Sequence, residues 1–391
     1  MTTVAEYPAN IYTTDAILNP YPHYQRMRRL GPAVWLNRHK CFALPRYPEC
    51  KATLRDDQQF LSDHSVALNA LCNRLSRGTT LASDGDEHAR RRKLVAHRLL
   101  PRALRGVSDA VDDQARSVVE AAVARGTVDG VDLATALPLA VVPDLVGWPR
   151  DQREHLLAWG AASFDILGPL NWQAIKALPR AVQMVRFVRR VVAERRVVPG
   201  SIVDELLHAA DDGVLAHDDC PALMIDYIAP SLDTTISAIP NALYLLGTHP
   251  EQWQRLKEDP ALIPGAVNEI VRYESPLRAF ARRVSCDTEI AGVAIPSGAQ
   301  VLVMYASANR DEDEWDRAEV FDIGRDAGRH MGFGNGAHAC AGQGLARLET
   351  TAMLQALLRR VDRIEVVGEP EWAVNNIIRR HRRLPLRLIA A

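Results

Sequence analysis

Apolar residues recur along most of this chain at the three-and-four spacing of helices, with few stretches of strand-like alternation. The segment Tyr21–Leu30 follows Pro20 and is stopped by Gly31-Pro32, which predicts an early helix. Val34-Trp35-Leu36 and Cys41-Phe42-Ala43-Leu44 then read as a short strand pair joined through Asn37 to Lys40. The longest apolar run covers residues 221–246, with Asp218-Asp219 as capping candidates before it and Gly247 and Pro250 as stop signals after it. It is apolar on nearly every side, so the pattern predicts one central buried helix, roughly 39 Å long at about 1.5 Å per residue. Asp226, Asp233 and the hydroxyls of Ser231, Thr234 and Thr235 argue against a membrane span, because acids at the bilayer centre are costly. After Cys340, Leu354, Leu357, Leu358 and Val361 repeat at helical spacing and predict a second helix. No fixed-period repeat, Gly/Ser linker or low-complexity tract marks a boundary, so residues 1–391 are expected to form a single, mainly helical domain.

Charge narrows the partners. Lys plus Arg number 47 against 48 for Asp plus Glu, so no overall imbalance points to nucleic acid, and electrostatic docking has to be local. The first twenty residues, with Glu6, Pro8, Asn10 and Asp15, have neither a basic start nor an apolar core. They read as neither signal peptide nor anchor, so a cytoplasmic protein with no membrane partner is expected. The six cysteines, at 41, 50, 72, 220, 286 and 340, stand singly, without a CxxC pair or disulfide framework, and are expected to be reduced.

One cysteine differs from the rest. Phe333-Gly334-Asn335-Gly336-Ala337-His338-Ala339-Cys340-Ala341-Gly342 leads a glycine-rich turn into the start of the second predicted helix. Glycines let a backbone curl tightly against a flat cofactor, and a helix N-terminus offers amide donors and positive potential that favour a thiolate. A lone thiolate presented in this way suits axial ligation of haem iron.

The segment resembles the haem-binding signature of the cytochrome P450 family at Phe333, Gly336, Cys340 and Gly342. The resemblance extends from Asn19-Pro20-Tyr21-Pro22 to the C-terminal strands and is strongest from Glu269 to Leu348. Glu269-Ile270-Val271-Arg272 is similar to the family's Glu-x-x-Arg pair, a structural ion pair behind the thiolate loop. The family's usual Arg before Phe-Asp is replaced by Val320 before Phe321-Asp322, so the third member is absent or supplied from elsewhere, with Arg325 a candidate. Asn309-Arg310-Asp311 and the stretch 292–298, which looks like strand, turn and strand, match the soluble bacterial branch. The fold implied is an α-rich triangular prism with a small β-sheet region, and the cofactor implied is haem b, iron protoporphyrin IX.

The resemblance also implies roles. Cys340 is the iron ligand, and His88, Arg92, Arg282 and His338 hold the two propionates, with Arg283 the rival to Arg282. Oxygen activation needs protons delivered to the distal oxygen, and Asp233 and Thr234 are the matching acid and alcohol. Just before them the family's small residues are replaced by Pro230-Ser231. Pro230 has no amide hydrogen for the Asp226 carbonyl, which predicts a kink that opens an oxygen groove. Ala229, Leu277, Ala279 and Phe280 occupy pocket positions, and the loop 66–75 is expected to close over them. Arg90-Arg91-Arg92-Lys93, with Arg347, would steer an acidic ferredoxin served by an NAD(P)H-dependent ferredoxin reductase. The expected function is monooxygenation with O2 of a small hydrophobic or aromatic substrate. The run 273–280 and Gly332-Phe333-Gly334 resemble bacterial members that O-demethylate methoxylated aromatics. The alternatives are a tailoring hydroxylase of natural-product synthesis and a non-catalytic haem sensor or carrier.

Overall fold

The computed structural model describes the backbone of residues 4–63 and 65–391, with side chains for all of these except 101, 229–233 and 235. Helices dominate, and three of them converge on one core. The central helix Ala229–Thr248, the helix Ile263–Tyr273 and the long helix Gln343–Arg360 share Leu243, Leu246, Ile270, Met353 and Leu357 in a single buried cluster. Each fully buried leucine contributes about 2 kcal/mol through the water-exposed area it loses. Ser108–Arg125 packs against Gln343–Arg360, while Gly130–Val146 and Leu156–Leu167 both pack against the central helix. Trp172–Glu194 lies outside Leu156–Leu167. The side chains from Ile236 to Leu243 are buried, as an all-round apolar pattern requires. Two of them, Ser237 and Asn241, are polar, and Asn241 donates from Nδ2 to the Glu274 carbonyl at 3.1 Å.

The single helix expected over 221–246 is in fact two. Cys220–Ile225 tightens into turns in which the Tyr227 amide donates to the Met224 carbonyl at 3.1 Å and the Ile228 amide to the Ile225 carbonyl at 3.0 Å. The chain then restarts as Ala229–Thr248, with Pro230 in its first turn. A proline there forfeits no helical hydrogen bond, so it opens a helix where the sequence suggested a kink. The seam is tied down from outside. The Thr80 amide donates to Asp226 Oδ2 at 2.7 Å, and Tyr227 Oη donates to the Val95 carbonyl at 2.7 Å.

Six strands form the main sheet, in the spatial order Ala5–Tyr7, Val34–Leu36, Cys41–Leu44, Gln300–Val303, Phe280–Val284, Phe60–Leu61. The strand pair read from the sequence is present as an antiparallel hairpin, with Val34 opposite Ala43 and Leu36 opposite Cys41. Within 292–298 lies one strand, Val293–Ile295, and a turn at Gly298, φ 79°; the next strand starts later, at Gln300. The expected loop 66–75 contains a short helix, Ala70–Leu75, capped by Asn69 Oδ1, which accepts from the Cys72 amide at 2.8 Å. Among the described residues, no helix is long and apolar enough to cross a membrane.

Candidate active site

The glycine-rich turn folds back on itself. The Cys340 amide donates to the Phe333 carbonyl at 2.8 Å and the Ala339 amide to the Gly336 carbonyl at 3.1 Å. Gly336 has φ +68°, and a Cβ there would lie 2.0 Å from the Leu54 carbonyl oxygen, so only glycine lets the loop seat on the end of the Tyr47–Arg55 helix. Cys340 is thereby placed just ahead of Gly342, the N-cap of Gln343–Arg360. Burial pushes its thiol up, against the amides of Gly342 and Gln343 and the guanidinium groups of Arg92 and Arg347. The helix terminus and the neighbouring cations favour a thiolate, but in the folded protein desolvation of the sulfur outweighs them.

Four basic residues gather beside this loop. His88 and His338 lie with ring centroids 4.0 Å apart, and Arg92 donates through Nη2 to the Ala339 carbonyl. Burial lowers the His88 pKa to about 4, reinforced by His338, Arg92 and Arg282; burial also lowers that of His338. Arg282 is itself buried, and it acts on both rings. Arg282 and Arg283 are neighbours on one strand, so their side chains leave opposite faces, and Arg282 is the one on the histidine side. Sequence reasoning missed Asp84, whose carboxylate accepts from the amides of Ser62 at 2.9 Å and Asp63 at 2.7 Å and lies 3.5 Å from His338 Nε2. Burial would raise its pKa, but His338 and the two amides more than offset that and hold it low.

Behind the loop, Glu269 and Arg272 are fully buried and bidentate, at 2.7 and 2.8 Å. Arg272 also donates to the carbonyls of Asn309 at 2.7 Å and Ala318 at 3.0 Å. Glu269 Oε1 accepts from the Asp322 amide at 3.1 Å and from Arg325 Nε at 3.3 Å. Arg325 thus stands as the third member of the network. Asn309 completes the link to the loop, with its Oδ1 accepting from the Met331 amide at 2.6 Å.

The remaining sequence candidates are divided. Phe333 packs against His330, ring centroids 5.3 Å apart, with the Arg347 guanidinium 4.8 Å from its ring centre. Leu277 and Phe280 join one apolar cluster with Val66, Phe164, Leu167 and Ile378. Ala279 belongs to another, with Tyr12, Tyr24 and Leu302, and is not brought to the same wall. Of the basic run, Arg90 and Lys93 are exposed, whereas Arg91 turns inward to Glu87 at 2.6 Å and Arg92 to the loop. The side chains of Ala229, Pro230, Ser231 and Asp233 lie outside the described residues; Thr234 is half-buried.

Is the donor set that of a haem site? Among the described residues, no group of three or more His, Cys, Asp or Glu side chains could hold a metal ion unaided, so a single sulfur suits a metal that brings its other ligands with it. Nε2 of His88 is buried without a hydrogen-bond partner, whereas that of His338 faces the Asp84 carboxylate at 3.5 Å. Such an orphan costs about 1–3 kcal/mol unless an acceptor arrives, and propionate carboxylates are acceptors of the right charge beside two guanidinium groups. The residues fit the group.

Comparison with known proteins agrees. Residues 180–362 match the family model described as Cytochrome P450. Cytochrome P450 CYP199A2 of Rhodopseudomonas palustris is 34% identical over 386 residues, covering 97% of this chain and 93% of that protein. The 6-deoxyerythronolide B hydroxylase of Saccharopolyspora erythraea is 33% identical over 316 residues, covering 78% of this chain and 77% of its own. The crystal structure of CYP109E1 from Bacillus megaterium, in complex with testosterone, superposes with a TM-score of 0.86 at 26% identity, covering 96% of this chain and 99% of that one. The chain belongs to the cytochrome P450 family of haem-thiolate monooxygenases.

Proposed function

We propose that this monooxygenase acts on a compact hydrophobic, aromatic substrate, and that its reaction is oxidative removal of the methyl group from an aryl methoxy ether. The observation that carries the monooxygenase reading is the Cys340 loop with its four basic neighbours. Leu277, Phe280, Phe164 and Ile378 share one apolar cluster, and apolar surroundings of this kind support an aromatic guest. In this assignment Cys340, in the loop that carries Phe333 and Gly342, would hold the iron of haem b, and His88, Arg92, Arg282 and His338 would hold the propionates. The bound haem supplies activation of O2, from which one oxygen atom enters a carbon–hydrogen bond of the substrate. Asp233 and Thr234 pass protons toward the oxygen side of the pocket. An oxygen inserted at a methoxy carbon leaves a hemiacetal, which releases formaldehyde and the phenol.

Electrons come from NAD(P)H through a ferredoxin reductase and an acidic ferredoxin. The docking face supported by exposure is narrower than the sequence run. It comprises Arg90 and Lys93, with Arg55, exposed and donating to Asn335 in the thiolate loop at 3.2 Å. Arg347 is half-buried and engaged by Asn268, so it tunes the loop more than it meets a partner.

A spectral screen of methoxyarenes, phenols, terpenes and macrolactones tests this reading. Methoxyarenes should shift the Soret band and yield formaldehyde on turnover; if they do neither, the demethylation assignment falls. Likeness to 6-deoxyerythronolide B hydroxylase favours a second reading, tailoring hydroxylation, which predicts binding of a macrolactone and a hydroxylated product without formaldehyde. A non-catalytic haem sensor predicts that Asp233→Asn with Thr234→Ala changes nothing, whereas a monooxygenase loses coupled turnover.

A further inference from the structure

The outer face of the Trp172–Glu194 helix has a charge pattern that the proposed chemistry does not use. Lys176, Arg180, Arg186, Arg189 and Arg190 are all exposed, and none is paired with a carboxylate among the described residues. Glu194, at the last position, is the only acid in the helix. In a chain whose whole charge is −1, this is a strong local field of one sign. Apolar side chains project beside it. Trp172 is 63% exposed, Leu170 59% and Leu75 64%, with Ile175, Val182 and Leu71 close to half exposed. These come from separate segments that the fold fastens together. Asn69, which caps the Ala70–Leu75 helix, donates to the carbonyls of Ile166 at 3.0 Å and Gly168 at 2.8 Å, and Asn171 caps the Trp172–Glu194 helix through the Ala174 amide at 3.1 Å. The Lys176 ammonium sits 5.2 Å from the centre of the Trp172 ring, so cation and aromatic present one surface.

We propose that this face binds peripherally to an anionic phospholipid surface. Leu71, Leu75, Leu170 and Trp172 enter the headgroup boundary, and the five cations of the Trp172–Glu194 helix lie against the phosphates. A protein partner would have to meet the projecting apolar tips with a fitted surface as well as answer the charge. A bilayer offers uniform negative charge and yields to projecting apolar tips, which matches single-sign cations beside exposed Trp and Leu. That no helix among the described residues is long and apolar enough to cross a membrane is no obstacle, since peripheral binding needs no span. The face is also distinct from the ferredoxin surface. Its helix packs on Leu156–Leu167, which in turn packs on the central helix, while Arg55, Arg90 and Lys93 flank the thiolate loop.

The test is flotation of the haem-loaded protein with vesicles of phosphatidylcholine alone or mixed with phosphatidylglycerol. Binding should require phosphatidylglycerol and weaken with added salt. Lys176→Glu, Arg180→Glu and Arg186→Glu combined should lower partitioning by at least about a hundredfold, at about fivefold per cation removed near the surface. Trp172→Ser with Ile175→Ser should lower it by about tenfold. Both variants should keep the wild-type spectrum of the reduced carbon monoxide adduct, which shows them folded. The proposal is overturned if wild-type protein ignores phosphatidylglycerol vesicles, binds neutral vesicles equally, or keeps its binding after charge reversal. Capture by immobilised poly-L-glutamate without vesicle binding would also overturn it, in favour of an acidic protein partner. No arm depends on substrate or ferredoxin, so failure here leaves the catalytic reading untouched.

Discussion

Glu349 shows what a single position can hide. On the helix that follows Cys340 it is fully buried, and neither carboxylate oxygen finds a hydrogen-bond partner among the described residues. Burial raises its pKa from 4.5 to about 8. The folded state therefore keeps a proton that the unfolded chain gives up. Stability attributable to this group is full below about pH 4.5 and is lost as pH rises through 8. Thermal unfolding followed by circular dichroism should show Glu349→Gln more stable than wild type by several degrees at pH 8 and no more stable at pH 4. An equal effect at both pH values would contradict the buried neutral acid. The pair behind the loop behaves oppositely. Glu269→Ala strands Arg272 in the core and should cost about 3–5 kcal/mol in urea unfolding, whereas a surface pair would cost well under 1. Cys340 and the Glu-x-x-Arg pair were legible because each has a spacing tied to chemistry. Glu349 was not, since a glutamate among helical apolar residues reads as a solvated face until the helices packed on Gln343–Arg360 are known.

At the scale of elements, the seam in the central helix departs most from the sequence reading. Ile225, Tyr227 and Ile228 are apolar, so periodicity runs straight through a break that hydrogen bonding to Thr80 and Val95 maintains. Such tertiary ties leave no trace in a local pattern. Asp226 is half-buried in that seam, and desolvation lifts its pKa to about 6, opposed by Thr80 and Arg91. Stability from this group is complete below about pH 3.8 and is lost as pH rises through 6. Asp226→Asn keeps an oxygen for the Thr80 amide and removes the charge, so its melting temperature should exceed wild type at pH 7.5 and match it near pH 3.8. Asp226→Ala removes the acceptor and should cost about 1–3 kcal/mol at either pH. If both variants shift alike, the seam is not held through this carboxylate. The hairpin at 34–44 and the helix after Cys340 were readable because their turn residues and apolar period agree with their tertiary surroundings.

Across the whole molecule, near-zero net charge conceals two basic faces on different helices, one beside the thiolate loop and one on Trp172–Glu194. The first shows in the sequence as the run 90–93; net charge reveals neither, because acids elsewhere in the chain balance them. For the loop face, Arg90→Glu with Lys93→Glu should slow second-order reduction by an acidic ferredoxin about tenfold at low salt, and the difference should shrink as salt rises. Stopped-flow reduction measures this, and an unchanged rate would move the docking site. All of it presupposes that Cys340 Sγ binds haem iron. The most direct measurement is the absorption spectrum of the dithionite-reduced protein under carbon monoxide. Wild type should show the long-wavelength Soret band of a sulfur-bound ferrous adduct, and Cys340→Ser should lose it. A haem-free wild type after reconstitution, or the same band in the serine variant, would contradict the account.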